Sequence, residues 1–434
     1  MFNEFEFENK MQKILEREFH DTVTQIDNSL YIQYTAMKWK YVKTAKRTVI
    51  FPFGEVTIER KCYKKEDEYI YPLDNYLNLE KYSRYSNGFL YMVAMLSTKM
   101  SYREVVNTIR IMKGIFITKD TVLKSVKMAT QLYKQKEDYD YYQEEILEKK
   151  REIKVLYIEG DGVMLKTKTN DRLRTDITHY IVHEGKEIEY GNRYKLINKK
   201  EIIAIKNSEA KEKLIQYIDQ HYKFTKESCL ISNSDMGVGY SAHVFREIAR
   251  VFKIKHEHFW DKYHLYQEIE LLLSRLEEDK LITLLKESIH LHNKKQSIVI
   301  LETIESLVED ENYLNQIQLF KRKLVKNFPY TKESHLRGLE ESCLGIIESQ
   351  HCKITNRMKN RKMYWSMNGA ETMAKMIIDS NSDELWTLFM GDWRKEYKKT
   401  QEKYLAASCY LKDFKQNSTI QTAKYFPATQ WLKT

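Results

Sequence analysis

The sequence predicts an α/β plus α protein: a mixed β-sheet with helices against it, split by a helical insertion and preceded by a mostly helical region with one β-hairpin. Three observations predict it. Apolar residues recur at three- and four-residue steps over long stretches, with only 4 Pro and 13 Gly in 434 residues, the pattern of helices. Between about 151 and 260, short runs of β-branched and aromatic residues alternate with amphipathic stretches, the pattern of strands and crossover helices. From about Leu265 to Lys326 a charged helical periodicity returns, with neither Pro nor Gly and no strand signal.

Taken in order, residues 1 to about 45 read as helix, carried by Met11, Ile14 and Leu15. The segment RTVIFPFGEVTIERKCYKK then reads as a hairpin turning near Gly54, followed by a cluster of Arg60, Lys61, Lys64 and Lys65. Helical pattern resumes from Ser86 to about Lys149. Ser101 and Glu104 have the spacing of a capping box. Gly114 and Ile117-Thr118 mark a break, after which Thr118 or Asp120 can cap a second helix through Val122, Val126 and Met128. Two helices around a Gly-containing turn fit a helix-turn-helix, whose second helix would present Lys119, Lys124 and Lys127 to DNA. The same lysines read equally well as solvated charges on a bundle helix.

Three strands follow, IKVLYIEGDGVMLK, THYIVHEGKEIEY and EIIAIK, then a helix (SEAKEKLIQYIDQHY), a strand (ESCLISNSD), a helix (YSAHVFREIARVFK) and a strand (IKHEHFW). The order β-β-β-α-β-α-β is the plan of an RNase H-like fold. A last helical region runs from about Glu340 past Trp365. The expected organisation is 1–85, helix and hairpin; 86–150, helix-turn-helix-like and DNA-binding; 151–265, first part of the RNase H-like core; 266–335, helical insertion; 336–434, the end of the core and a helical tail.

Lys and Arg total 72 against 62 acidic residues, a net charge of +10, which attracts polyanions such as nucleic acid. The five cysteines are scattered with no CxxC pair, which points away from a disulfide framework or a Cys-rich zinc site and towards reduced thiols. The N-terminus, MFNEFEFENKMQK, has no apolar core of a signal peptide, and no apolar run approaches the ~18 residues needed to span a bilayer. A cytoplasmic location and no membrane association are expected.

Two aspartates stand out. Asp161 follows an apolar strand and is flanked by Gly160 and Gly162; Asp235 ends a second apolar strand and is followed by Gly237 and Gly239. Open α/β sheets place their sites at the carboxyl ends of strands, and the two meet if the first and fourth strands pair. Two carboxylates ~4 Å apart repel by ~4 kcal/mol at an effective dielectric of ~20, which a hard divalent cation offsets. Two such ions ~3.5–4 Å apart can serve a phosphodiester displacement. A turn residue beside Gly is the ordinary alternative for either Asp. A third carboxylate from a helix would complete the set; Glu348, in LGIIESQHCKITNRMKNRK, has the placement, but other glutamates share it.

The motifs YIEGDG, SDMGVGY, HFWDKYHL and the long block GIIESQHCKITNRMKNRKMYWSMNGAETMAKM, with FGEVTIERKCY, PLD and SYREVV upstream, resemble those of the ISLre family of bacterial insertion-sequence transposases, distant relatives of Mutator-like transposases. The likeness covers nearly the whole chain. It implies a DDE triad of Asp161, Asp235 and Glu348, binding Mg²⁺ or Mn²⁺ as two ions, in an RNase H-like domain split by a helical insertion. The 113 positions from Asp235 to Glu348 leave room for that insertion. Asp261 and His264 resemble the Asp/Cys-x-x-His signature of Mutator-like enzymes and are expected to support the active centre; a zinc site formed by His256, His258, Asp261 and His264 is a rival reading, and plain packing a third. Arg357, Lys359, Arg361 and Lys362 follow Glu348 by two to four helical turns, as candidate grips on a phosphate backbone or as a solvated helix face. Trp365 reads as stacking on a base or as core.

The expected function is a transposase that cleaves at its own element's inverted ends and joins the freed 3′-OH to target DNA, without ATP or a covalent protein–DNA intermediate, as a homo-oligomer on double-stranded DNA. The alternatives are a metal-dependent nuclease of the same fold that does not join strands, and a non-catalytic helix-turn-helix DNA-binding protein.

Overall fold

The computed structural model describes residues 2–142, 150–168, 174–191, 193–276, 278–339, 343–361 and 363–401. The first helix, α1 (Glu4–Ala36), ends earlier than expected. Lys38, in the left-handed region at φ 64°, closes it. The alternating aromatic and β-branched residues from Lys40 onward then enter β1 (Lys40–Phe51), which pairs antiparallel with β2 (Gly54–Lys65). The turn lies at Gly54, with φ 146°. A short β3 (Glu68–Ile70) and α2 (Pro72–Tyr76) complete this part. Val23 and Leu30 of α1 pack on Val49, Phe51, Val56 and Ile58 of the hairpin, and Lys61 Nζ lies 2.8 Å from the buried Asp27 carboxylate.

Helix α3 (Asn87–Lys99) is capped by Ser86, whose hydroxyl accepts from the Phe89 N–H at 3.1 Å. Helix α4 (Tyr102–Lys113) carries the expected capping box between Ser101 and Glu104 and stops at Gly114, φ 63°. Helix α5 (Lys119–Tyr142), at 24 residues, is longer than a short recognition helix. The connection is buried: Val105, Ile109, Ile115, Ile117 and Val122 share a core with Ile50, Phe89 and Val93.

The central sheet is built from β4 (Arg151–Lys166), β5 (Arg174–His183), β8 (Lys200–Ala204), β9 (Tyr222–Ser234) and β10 (Lys255–Trp260), with β6 (Lys186–Tyr190) and β7 (Arg193–Leu196) forming a separate hairpin. The second expected strand is therefore two: Gly185, φ 127°, breaks it. The strand order is β10-β9-β4-β5-β8. β4, β9 and β10 run parallel, and β5 is antiparallel to both β4 and β8. This is a mixed sheet, as expected, with the first and fourth core strands paired.

Strand alternation sorts the two faces. Leu156 and Ile158 pack with Leu214 and Ile218 of α6 (Asn207–His221) and Phe245 and Ile248 of α7 (Ala242–Val251). Val163 and Leu165 face the other way, towards Val126 and Leu132 of α5 and Met373 and Ile377 of α13 (Met367–Asp379). The sheet is thus covered on both sides. After β10 the chain forms α8 (Lys262–Leu273), α9 (Asp279–His290), α10 (Lys294–Ser306) and α11 (Glu311–Asn327), which enclose their own core of Ile269, Leu285, Leu301 and Ile317 and share it with Trp260. Helix α12 (Ile347–Met358) then returns to the sheet, followed by α13 and α14 (Glu384–Met390). Among the described residues, no helix is long and apolar enough to cross a membrane.

Candidate active site

The parallel ladder between β4 and β9 ends at Glu159 opposite Asn233. Asp161 lies two residues further along β4, and Asp235 two residues further, just past the end of β9. Asp161 is not at a strand end, however: β4 runs on to Lys166 because β5 continues to pair with its other edge. Its flanking glycines have a steric cause. A Cβ on Gly160 would stand 2.5 Å from a ring carbon of Tyr180, and one on Gly162 would collide with the Asp176 carboxylate. The Asp161 carboxyl accepts from the Gly162 N–H at 2.7 Å. Burial pushes its pKa up to about 7, and the charge of Asp235 adds to the rise. Asp235 Oδ1 accepts from the Gly237 N–H, also at 2.7 Å.

Glu348 stands in the first turn of α12. That helix is docked by a residue of β4 itself. Glu159 is fully buried and accepts from the backbone N–H of Ile346 at 3.0 Å and of Ile347 at 3.2 Å. A carboxylate at a helix N-terminus satisfies otherwise orphan donors and meets the favourable end of the helix dipole. Burial nevertheless pushes the Glu159 pKa up to about 7.

The third contributor is α8. Asp261 caps it, accepting from the His264 N–H at 3.0 Å, while Asn233 Nδ2 donates to the other Asp261 oxygen, also at 3.0 Å. His264 Nδ1 lies 3.2 Å from Asp261 Oδ1, and its Nε2 lies 3.9 Å from Glu348 Oε2. The Asp261 carboxylate raises the His264 pKa to about 9 against the opposing effect of burial, with Asp161 and Asp235 adding to the rise. Ligand atoms of Asp161, His264 and Glu348 all lie within 4.8 Å of one another. Asp235 does not join that trio, although its charge reaches it. Carboxylates gathered this closely, one of them driven towards protonation, fit a divalent cation.

Four further residues belong to the site and escape a reading of isolated motifs. Glu159 and Asn233 secure α12 and Asp261. His351, one turn after Glu348, places Nδ1 3.4 Å from Asp161 Oδ2 and stacks on His179, which lies 3.1 Å from Glu201; burial drops its pKa to about 3. Asp176 has its pKa raised, first by burial and then by Asp235. Two of these were findable: Glu159 shares a strand face with Asp161, and His351 shares a helix face with Glu348.

The other expected residues divide. Lys119, Lys124 and Lys127 are exposed along α5; Lys119 and Lys127 line a cleft with Arg103, Tyr364 and Asn368. Lys359 is exposed, and Arg361 pairs with Glu104 at 3.0 Å. Arg357, expected on a solvated helix face, is buried instead: it donates to the Ser97 carbonyl at 2.8 Å and lies against Trp365, so it braces α12 on α3. Lys362 lies outside the described residues. Trp365 is core, donating to the Met358 carbonyl. The zinc grouping does not form, because His256 and His258 both turn to the Ser232 hydroxyl at 2.7 Å while His264 faces the carboxylates. Tyr263, beside His264, is 64% exposed.

Residues 2–395 match the model of a family described as "Uncharacterised protein family (UPF0236)". A relative from Streptococcus gallolyticus, "UPF0236 protein in vanSb 3'region", is 30% identical over 380 residues, covering 86% of this chain and 82% of the relative. Among solved structures, the chain is similar to one from the Drosophila P element transposase strand transfer complex, at 10% identity and a TM-score of 0.24, covering 72% of this chain and 82% of that one. It is also similar to one from a simian T-cell lymphotropic virus intasome in complex with PP2A regulatory subunit B56 gamma, at 15% identity and a TM-score of 0.17. That match covers 39% of this chain and about half (49%) of the other. At these scores neither likeness bears on the chain's chemistry.

Proposed function

Starting from a chain that belongs to the uncharacterised protein family UPF0236, we propose that it is a DDE transposase of an insertion sequence, with an RNase H-like catalytic sheet and the triad Asp161, Asp235 and Glu348. The observation that carries the reading is the approach of Glu348, from a helix 113 positions after Asp235, to within 4.8 Å of Asp161 and His264. The five-strand order, with only β5 reversed, supports the fold reading, as does the likeness of the motifs to those of the ISLre family.

Under this proposal Asp161, Asp235 and Glu348 hold Mg²⁺ or Mn²⁺. Bound there, divalent ions supply charge neutralisation to the attacking and leaving oxygens of an in-line displacement. The chain's own contribution is positioning. Glu159 fixes the start of α12, Asp261 fixes His264, and the exposed Lys119, Lys124, Lys127 and Lys359 offer cations to a phosphate backbone. Water displaces the 3′-oxygen at the element's boundary, releasing a 3′-OH; that hydroxyl then attacks a target phosphodiester, one bond forming as one breaks. Double-stranded DNA is the partner, and holding two ends calls for more than one copy of the chain.

The test uses the full chain, Mg²⁺ or Mn²⁺ and a duplex carrying the DNA that borders its reading frame. Expected are nicks at the boundary and a joined product on a denaturing gel, both reduced by at least 10³-fold in Asp161→Asn and Glu348→Gln, with duplex binding retained. Cleavage without joined product favours a nuclease. A wild-type chain that binds duplex and leaves it intact with either ion refutes the enzyme and favours a DNA-binding protein.

A further inference from the structure

The group that joins Asp161 and Glu348 at the site is an imidazole, that of His264, not the second aspartate. Resting on the divalent-ion reading above, we propose that His264 is a metal ligand through Nε2, completing a mixed nitrogen and oxygen donor set with Asp161 and Glu348. Three observations carry it. The donor atoms of the three residues already lie within 4.8 Å of one another, with 3.9 Å between His264 Nε2 and Glu348 Oε2. Ligands at about 2.1 Å from an ion in octahedral geometry stand about 3 Å apart when adjacent, so closing the His264–Glu348 pair needs about 1 Å. Glu348 has the freedom to supply it, since its side chain is 57% exposed.

The ring also has the neighbour that a metal-bound histidine commonly has. Metal-bound histidines commonly direct their other nitrogen at a carboxylate, which fixes the tautomer and the ring plane. His264 Nδ1 lies 3.2 Å from Asp261 Oδ1. Asp261 is itself buried, accepts from the His264 backbone N–H and is held by Asn233 from the neighbouring strand. The carboxylate that orients the ring is thus fixed from two sides. Finally, the rival four-residue grouping does not compete for the ring, because His256 and His258 are engaged by Ser232.

The consequence is selectivity. Mg²⁺ takes oxygen ligands, whereas an imidazole donor favours first-row transition ions. The centre therefore binds Mn²⁺ more tightly than Mg²⁺, and the margin depends on His264.

Mn²⁺ is the probe, bound to the tag-free full chain and read by pulsed electron paramagnetic resonance and by titration calorimetry. Expected is a ¹⁴N coupling on bound Mn²⁺ that persists in His351→Gln and disappears in His264→Gln. Mn²⁺ affinity should fall on the order of 10–100-fold in His264→Gln, the range for disturbed metal shells, with Mg²⁺ affinity changing less and the circular dichroism melt unaltered. Bound Mn²⁺ without ¹⁴N coupling, or coupling that survives in His264→Gln, overturns the proposal; the carboxylate reading then stands if Asp161→Asn still weakens Mn²⁺ binding. Should Asp161→Asn leave Mn²⁺ affinity untouched, both fail.

Discussion

His183 illustrates how burial alone sets the state of single side chains in the sheet. It is fully buried, stacks on Tyr157 and accepts from the Gly185 N–H at 3.2 Å, and burial drops its pKa from 6.5 to about 4. The folded chain therefore keeps the ring neutral, while the unfolded chain takes up a proton first as pH falls. Stability from this group is fully present above about pH 6.5 and is lost as pH falls towards 4. Urea denaturation at pH 7 and pH 4.5 should show the wild type losing about 2 kcal/mol more than His183→Gln between the two; equal losses would remove the argument. At this scale Asp161 was legible in the sequence because its glycine neighbours are a local mark of crowding. Arg357 was not, because its partner, the Ser97 carbonyl, lies 260 positions away, and basic residues on a helix look alike until the opposing surface is known.

Elements were legible wherever periodicity was unbroken, as in α4 with its capping box and in the strands of the central sheet other than β5, which reads as one with β6 until Gly185 divides them. They were misread where two signals overlap. Residues 37 to 45 continue an apolar spacing that suits a helix, yet they also suit a strand, and pairing with β2 decides the matter. The more consequential element is α12, whose first N–H groups are received by Glu159. In Glu159→Ala those donors are left without a protein acceptor, which costs about 1–3 kcal/mol per buried group. Hydrogen exchange should quicken at Ile346 and Ile347 while β4 and β9 keep their protection; unchanged exchange at those two amides would show that α12 is held by its packing alone. The sequence could place Glu348 on a helix, but not that a strand two residues before Asp161 receives that helix's end.

For the whole molecule, the sheet is enclosed by α6 and α7 on one face and by α5, α12 and α13 on the other, and the four helices between β10 and α12 carry a core of their own. A net charge of +10 belongs to this scale, because it acts on partners and not on the fold. Under the proposed function, a chain that neutralises ~6–10 phosphates should lose ~10³–10⁵-fold in duplex affinity between ~50 and ~200 mM salt, measured by fluorescence anisotropy; a flat salt dependence would argue against that footprint. The overall plan was legible because alternating strands and helices constrain topology strongly. The meeting of Asp161, His264 and Glu348 was not, since it depends on how the chain comes back after α11. That return also orders events during synthesis. A ribosome releases β4 to β10 before α12, so Asp161 and His264 leave it ahead of Glu348. Any message truncated upstream of codon 348 therefore encodes a protein in which the trio is never assembled.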